Sequence, residues 1–316
     1  MKKKIQISFS LLLIFLLLNC KKSNSVLHQD GSLASSGQSS IASLLPVSAF
    51  TVTPMYIIGS TLASCDVEVN SDGGEAITQR GICWGLAANP TINDSKSLNG
   101  AGLGKFRGRM NGLTERTTYH LRAYAINTSG VSYSDDITFK TIGKGHITYT
   151  FNKATNPTAE QLAAYGRMQI AVDSAIWYME NYTSASKHVW LNYDPAVPTA
   201  DANNEGWMRF GANSGFQNLR TMLHEMDHTL GTGTTSWWSG KIVAGKFQGA
   251  STNELLGKIQ NTTSVQLNGD SQHWWPYGLN QNSEVSSSWD YVYNCILIEA
   301  MRKDGLPTST SGSYTP

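Results

Sequence analysis

The chain has 316 residues, with 24 Lys and Arg against 23 Asp and Glu and 40% hydrophobic residues. That is enough apolar surface for about two packed domains and too little charge bias for a disordered chain or a phosphate-tracking surface. Lys2, Lys3 and Lys4 carry all the charge ahead of Cys20, so without them the formal charge falls from +1 to −2, which further disfavours nucleic acid as a partner. The lysines are followed by the apolar run Ile5 to Leu18, broken by Gln6, Ser8 and Ser10. Such a run of about 14 residues reads as an export leader, because spanning a hydrocarbon core takes roughly 20. Residues 20–45, rich in Ser, Gly and Gln, read as a flexible tether.

The junction Leu17-Leu18-Asn19-Cys20 resembles the lipobox of bacterial lipoproteins, with Asn19 where a small residue is usual. The resemblance implies that residues 1–19 are a lipoprotein signal peptide and that Cys20 is acylated. The mature protein would then be held at a membrane, extracytoplasmic, in a bacterial cell envelope. Of the remaining cysteines, Cys65 and Cys83 could pair, and Cys295 sits in an apolar helical run as a small buried hydrophobe.

From 46 to 142 the pattern is of short alternating segments. Ala63, Cys65, Val67 and Val69 line one face of a strand, Asp72-Gly73-Gly74 turns the chain, and Tyr119, Leu121, Ala123 and Ala125 line a later strand. Several strands without helical period predict a β-sandwich. The segments Leu113 to Tyr119, Arg122 to Asn127 and Arg80 to Trp84 resemble the corner, F strand and C strand of fibronectin type III modules. The resemblance implies that Tyr119 bonds a nearby backbone group and that Trp84 is core.

From 146 to 316 the periodicity changes. Ala159 to Tyr182 reads as one long helix, His188 to Tyr193 and Trp207 to Gly211 as strands, and Phe216 to Leu230 as a further helix, an α+β domain. That last helix carries His224-Glu225-Met226-Asp227-His228. At about 100° per residue the two histidines fall about 40° apart, roughly opposite the stripe of Leu219, Met222, Met226 and Leu230, and face a cleft or solvent. Two imidazoles one turn apart can bind one zinc ion, with Glu225 in reach of a water. Gly231 is expected to end the helix in a left-handed cap.

A catalytic zinc takes three protein ligands and leaves one position open. Thr234 stands where a metzincin has its third histidine, and of the seven histidines only His273 follows the helix. The order of Trp207-Met208-Arg209-Phe210-Gly211, the helix motif and His273-Trp274-Trp275-Pro276-Tyr277-Gly278-Leu279-Asn280 resembles secreted bacterial zincin-like metalloproteases. The resemblance implies His224, His228 and His273 as ligands of Zn2+ and Glu225 as general base. Glu254, Glu284 and Asp270 are rival third ligands, and Met301 is core or a methionine beneath the metal. Tyr277 is a candidate oxyanion donor, and Trp207 to Gly211 a candidate edge strand offering main-chain groups to an extended polypeptide. The function expected is that of a membrane-tethered zinc metalloendopeptidase. The alternative is a surface adhesin with a structural or degenerate zinc site, since eight of the nine tryptophans lie after residue 150 and could form a glycan platform.

Overall fold

The computed structural model describes residues 49–307; the leader, Cys20 and the tether through residue 45 lie outside them. The first nine strands are β1 (Ala49–Val52), β2 (Ile57–Ile58), β3 (Leu62–Ser71), β4 (Gln79–Gly85), β5 (Ser95–Lys96), β6 (Gly104–Asn111), β7 (Thr118–Asn127), β8 (Gly130–Tyr133) and β9 (Ile137–Lys140). They form two antiparallel sheets. In one, β3 pairs with β1 and β2 on one edge and with β6 on the other; in the second the order is β5-β4-β7-β8, with β9 also on β7. This is the expected sandwich. The period-two alternation turns Ala63, Cys65 and Val67 of one sheet toward Ile82, Trp84, Leu121 and Ala123 of the other. Tyr119 does what the corner motif implies: its hydroxyl accepts the Thr114 N–H at 3.0 Å. Cys65 and Cys83 lie on different sheets as free buried thiols, so they do not pair, and burial pushes their pKa values up to about 12 and about 11.

The chain then runs through β10 (His146–Asn152), α1 (Ala159–Tyr182), β11 (Ser186–Tyr193), β12 (Ala200–Ala202), β13 (Trp207–Phe210), α2 (Leu219–Thr229), α3 (Ser236–Lys241), β14 (Ile242–Val243), β15 (Lys246–Phe247), α4 (Ala250–Gln260), β16 (Asn268–Gly269), β17 (Trp274–Trp275) and α5 (Trp289–Lys303). The long helix has the predicted limits because Thr158 and Gln161 form a reciprocal capping box at its start. It buries Met168, Ala171, Val172, Ala175 and Met179. The main sheet has the order β10-β11-β13-β12, parallel through its first three strands and antiparallel at β12. A smaller sheet of β14 to β17 carries the segment leading into His273.

The predicted boundary between 142 and 146 falls between β9 and β10, yet it does not separate two bodies, because the described residues belong to one compact unit. Ile57 of the sandwich is 1% exposed and shares an apolar core with Met179, Tyr182 and Ile296. The Ser60 N–H donates to the Asn181 carbonyl at 2.8 Å, and the Thr61 hydroxyl to the Asn181 side chain at 2.7 Å. Arg107 makes a two-pronged pair with Asp66 at 2.6 and 2.8 Å, donates to the Tyr293 hydroxyl at 3.0 Å and lies 4.4 Å over Trp289. A half-buried guanidinium thus joins the sandwich to α5 by charge, hydrogen bond and cation–π contact.

Candidate metal centre

The motif helix starts three residues later than its apolar pattern predicts. Asn218 accepts the Thr221 N–H at 3.1 Å and caps α2, and Ser214–Phe216 before it form a 3-10 turn. At the other end Gly231 has φ +111°, the expected left-handed exit. The polar face of α2 does not meet solvent: Glu225, Asp227 and His228 are 3%, 1% and 9% exposed, because β12 and the 272–280 segment cover them. The close approach of that segment requires glycine at 233, where φ is +68° and a Cβ would stand 2.0 Å from the Gln272 carbonyl oxygen.

His224, His228 and His273 converge, with one ring nitrogen of each within 4.8 Å of the others. Ring centroids are 4.7 Å apart for His224 and His228, 5.4 Å for His224 and His273, and 5.7 Å for His228 and His273. Nδ1 of His224 faces the Gly278 carbonyl at 2.7 Å, and Nδ1 of His228 the Thr232 carbonyl at 2.8 Å. A carbonyl oxygen only accepts, so both Nδ1 atoms carry the proton and both Nε2 atoms present lone pairs. These face each other at 3.2 Å with nothing to donate between them.

That donor set fits zinc. Tetrahedral ligands at about 2.0–2.1 Å from a metal stand roughly 3.4 Å apart, and a cation is what two opposed lone pairs lack. The carbonyl bonds to Nδ1 are the usual outer support of metal-binding histidines. His273, with its side chain 40% exposed, completes the triangle from a turn in which Asp270 Oδ1 accepts the His273 N–H at 2.6 Å. Burial first, then the neighbouring imidazoles, disfavours the charged form of the two helix histidines: His224 is pushed down to about 3, and His228 is lowered as well.

Glu225, the residue after His224, is buried, and among the described residues its Oε2 has no hydrogen-bond partner. Burial, reinforced by the charge of Asp201, raises its pKa to about 8, while Arg220 opposes the shift. The rival ligands are elsewhere. Glu254 is exposed on α4 and paired with Lys258 at 2.7 Å; Glu284 accepts the N–H groups of Leu279 and Asn280; Asp270 caps the turn before His273. Met301 and Cys295 are fully buried in the common core.

Two expectations need correction. Tyr277 does not join the imidazoles: its ring packs edge to face on Tyr293 of α5, 5.2 Å away, and its carbonyl accepts from Asn294. Its φ of +73° aims the side chain along α5. Trp207 to Gly211 is not an edge either, because β13 is paired with β11 on one side and β12 on the other. The sheet's margins are β10 and β12, and β12 is the one against α2. The Gly211 N–H bonds to the Thr199 carbonyl and the Asn203 N–H to the Trp207 carbonyl. By antiparallel alternation, Ala200 and Ala202 then aim their main-chain groups outward.

Three residues that no spacing in the sequence singles out hold the site. Arg220 donates to the Leu279 carbonyl at 2.5 Å from α2. From α5, Asn294 donates to Asp227 Oδ2 at 2.7 Å and to the Tyr277 carbonyl at 3.0 Å. Asp227, wholly buried, has its carboxyl pushed well above the usual range by burial, with the Asn294 bond opposing. Between them runs a loop with two non-glycine left-handed residues, Tyr277 and Leu279, each costing roughly 1–2 kcal/mol.

No protein-family model and no curated protein matches this chain. Solved structures with partial similarity include the sensor domain of the anti-sigma factor RsgI4 from Pseudobacteroides cellulosolvens, at 19% identity and a TM-score of 0.24, covering 32% of this chain and 98% of that one. The sixth fibronectin type III domain of human fibronectin type III domain containing protein 3 aligns at 21% identity and a TM-score of 0.22, over 34% of this chain and 89% of that one. A fibronectin type III domain of the human KIAA0970 protein aligns at 16% identity and a TM-score of 0.24, over 40% of this chain and 90% of that one.

Proposed function

We propose that this protein is a zinc-dependent peptidase of zincin-like type that hydrolyses peptide bonds in extended polypeptide, and that it works outside the cytoplasm, held to a membrane by a lipid on Cys20. The observation that carries the reading is the meeting of His224, His228 and His273, with a buried, unpartnered carboxylate oxygen on Glu225, the residue after His224. His224, His228 and His273 would hold a zinc ion, which when bound would supply Lewis acidity toward a carbonyl and a water. Glu225, whose ionised form an adjacent cation favours, accepts a proton from the attacking water and delivers it to the leaving amine. Ala200 and Ala202 hold the substrate extended by pairing with its main chain above α2. A structural site would call for four protein ligands, and among the described residues three converge, which favours catalysis over the adhesin reading.

Replacing Glu225 with Gln tests the proposal. Zinc content should persist, one equivalent per chain, while cleavage of casein falls by about 10²- to 10⁴-fold, the usual contribution of a positioned general base. Undiminished cleavage by Glu225→Gln removes that residue from the mechanism. A parent protein that binds zinc and cleaves neither casein nor gelatin favours the adhesin.

A further inference from the structure

We infer that Asn294 is a positioning residue for the metal centre: one carboxamide latches the loop carrying His273 to the helix carrying His224 and His228. The inference rests on the peptidase reading for its metal and on geometry alone for its latch. Asn294 is 0% exposed at the middle of α5. Its Nδ2 has two hydrogens and two acceptors, Asp227 Oδ2 at 2.7 Å on α2 and the Tyr277 carbonyl at 3.0 Å on the loop. Asp227 precedes the ligand His228, and Tyr277 precedes Gly278, whose carbonyl accepts Nδ1 of His224. The same side chain therefore fixes the helix at one ligand and the acceptor that orients the other.

The loop needs such a latch. Tyr277 and Leu279 both sit at positive φ, and conformations of this kind persist only where the surroundings determine them. Arg220 restrains the far side of the loop through the Leu279 carbonyl, and Glu284 accepts the Leu279 and Asn280 N–H groups. Arg220 ties α2 itself to the loop, whereas Asn294 ties both the loop and the motif to α5. The Asn294 bond to Asp227 is buried, so removing the amide leaves that carboxylate without a replacement from water; the bond to the Tyr277 carbonyl is part-buried.

The experiment compares the full chain with Asn294→Ala, with Leu297→Ala, and with the exchanged pair Asp227→Asn/Asn294→Asp. Leu297→Ala is the control, a fully buried α5 residue outside the hydrogen-bond network. The readouts are zinc affinity by titration, the visible spectrum of the cobalt-substituted protein, and amide hydrogen exchange over residues 274–280 in metal-free protein. Asn294→Ala should weaken zinc binding about tenfold or more, the usual cost of removing an outer support, shift the cobalt bands and speed exchange in the loop. Leu297→Ala should lower the melting temperature while leaving all three unchanged. The exchanged pair, which restores one bond with donor and acceptor reversed, should recover part of the affinity even if Asn294→Ala folds poorly. Zinc affinity within twofold of the parent and unaltered loop exchange in Asn294→Ala overturn the inference, as does an equal response in Leu297→Ala. Should the parent bind neither zinc nor cobalt, the peptidase reading fails, and the loop's exchange still decides whether Asn294 latches it.

Discussion

Replacing Gly233 with alanine should damage metal binding out of proportion to stability. At φ +68° the new Cβ stands 2.0 Å from the Gln272 carbonyl oxygen, 2.7 Å from its carbon and 2.8 Å from Cα. These are backbone atoms, so relief requires the chain at 272 to retreat by about 1 Å, and His273 is the next residue. Metal–ligand distances tolerate about ±0.2 Å, so a displacement of that size should remove most of the third ligand's contribution and lower zinc affinity by more than tenfold. The left-handed backbone adds roughly 1–2 kcal/mol against folding whether or not anything is touched. Gly245→Ala isolates that part, since its φ is +74° and its nearest atom lies 4.0 Å away. Zinc titration and thermal melts of the metal-free proteins, run on both variants, separate the two effects. Equal zinc affinity for the two would refute the reasoning, because it would mean that the contact with Gln272 does not govern where His273 stands.

Other outcomes follow from the joint between the sandwich and α5. Although burial pushes the Asp66 carboxyl up, its hydrogen bonds and charge pairing with Arg107 hold it below the usual carboxylate range. The folded-state pKa is therefore lower than the unfolded value near about 3.9, so the pair stabilises fully above that pH and its contribution is lost as pH falls through the folded pKa. Melts from pH 7 down to pH 3 should show a steeper acid loss in the parent than in Asp66→Asn. Deleting residues 46–142 uncovers the faces of α1 and α5 against which Ile57, Tyr56 and Leu62 pack, and should give an aggregating product by size-exclusion chromatography. Substituting Asn218 with alanine removes the cap of α2 and should cost about 1 kcal/mol in denaturant melts with little change in zinc stoichiometry.

Much of this was legible in the sequence where local physics decides. The limits of α1 follow from an apolar period with a Thr158–Gln161 box, the end of α2 from Gly231, and the sandwich strands from alternation. The histidine pair follows from a one-turn spacing. What long-range contact decides was not legible. Asn294 and Arg220 act through hydrogen bonds to partners up to 67 positions away, and a lone Asn or Arg carries no periodic signature. The edge strand β12 is the three residues Ala-Asp-Ala, too short to alternate, so the sequence pattern points instead to the better-patterned Trp207 to Gly211. Tyr277 looked catalytic because it follows His273 closely, but the sign of φ, which turned it toward Tyr293, is set by the loop's ties to α2 and α5. The shared core around Ile57 was hidden because each half reads as self-sufficient in its own pattern.

The brevity of β12 bears on selectivity. A margin of three residues with two outward-facing alanines can engage only about two peptide units of a guest chain, and methyl groups offer no charge or shape with which to choose among side chains. If the protein cleaves polypeptide as proposed, discrimination on this surface would favour slack, unstructured stretches over any particular order of amino acids, so proteins would become susceptible as they lose their native shape.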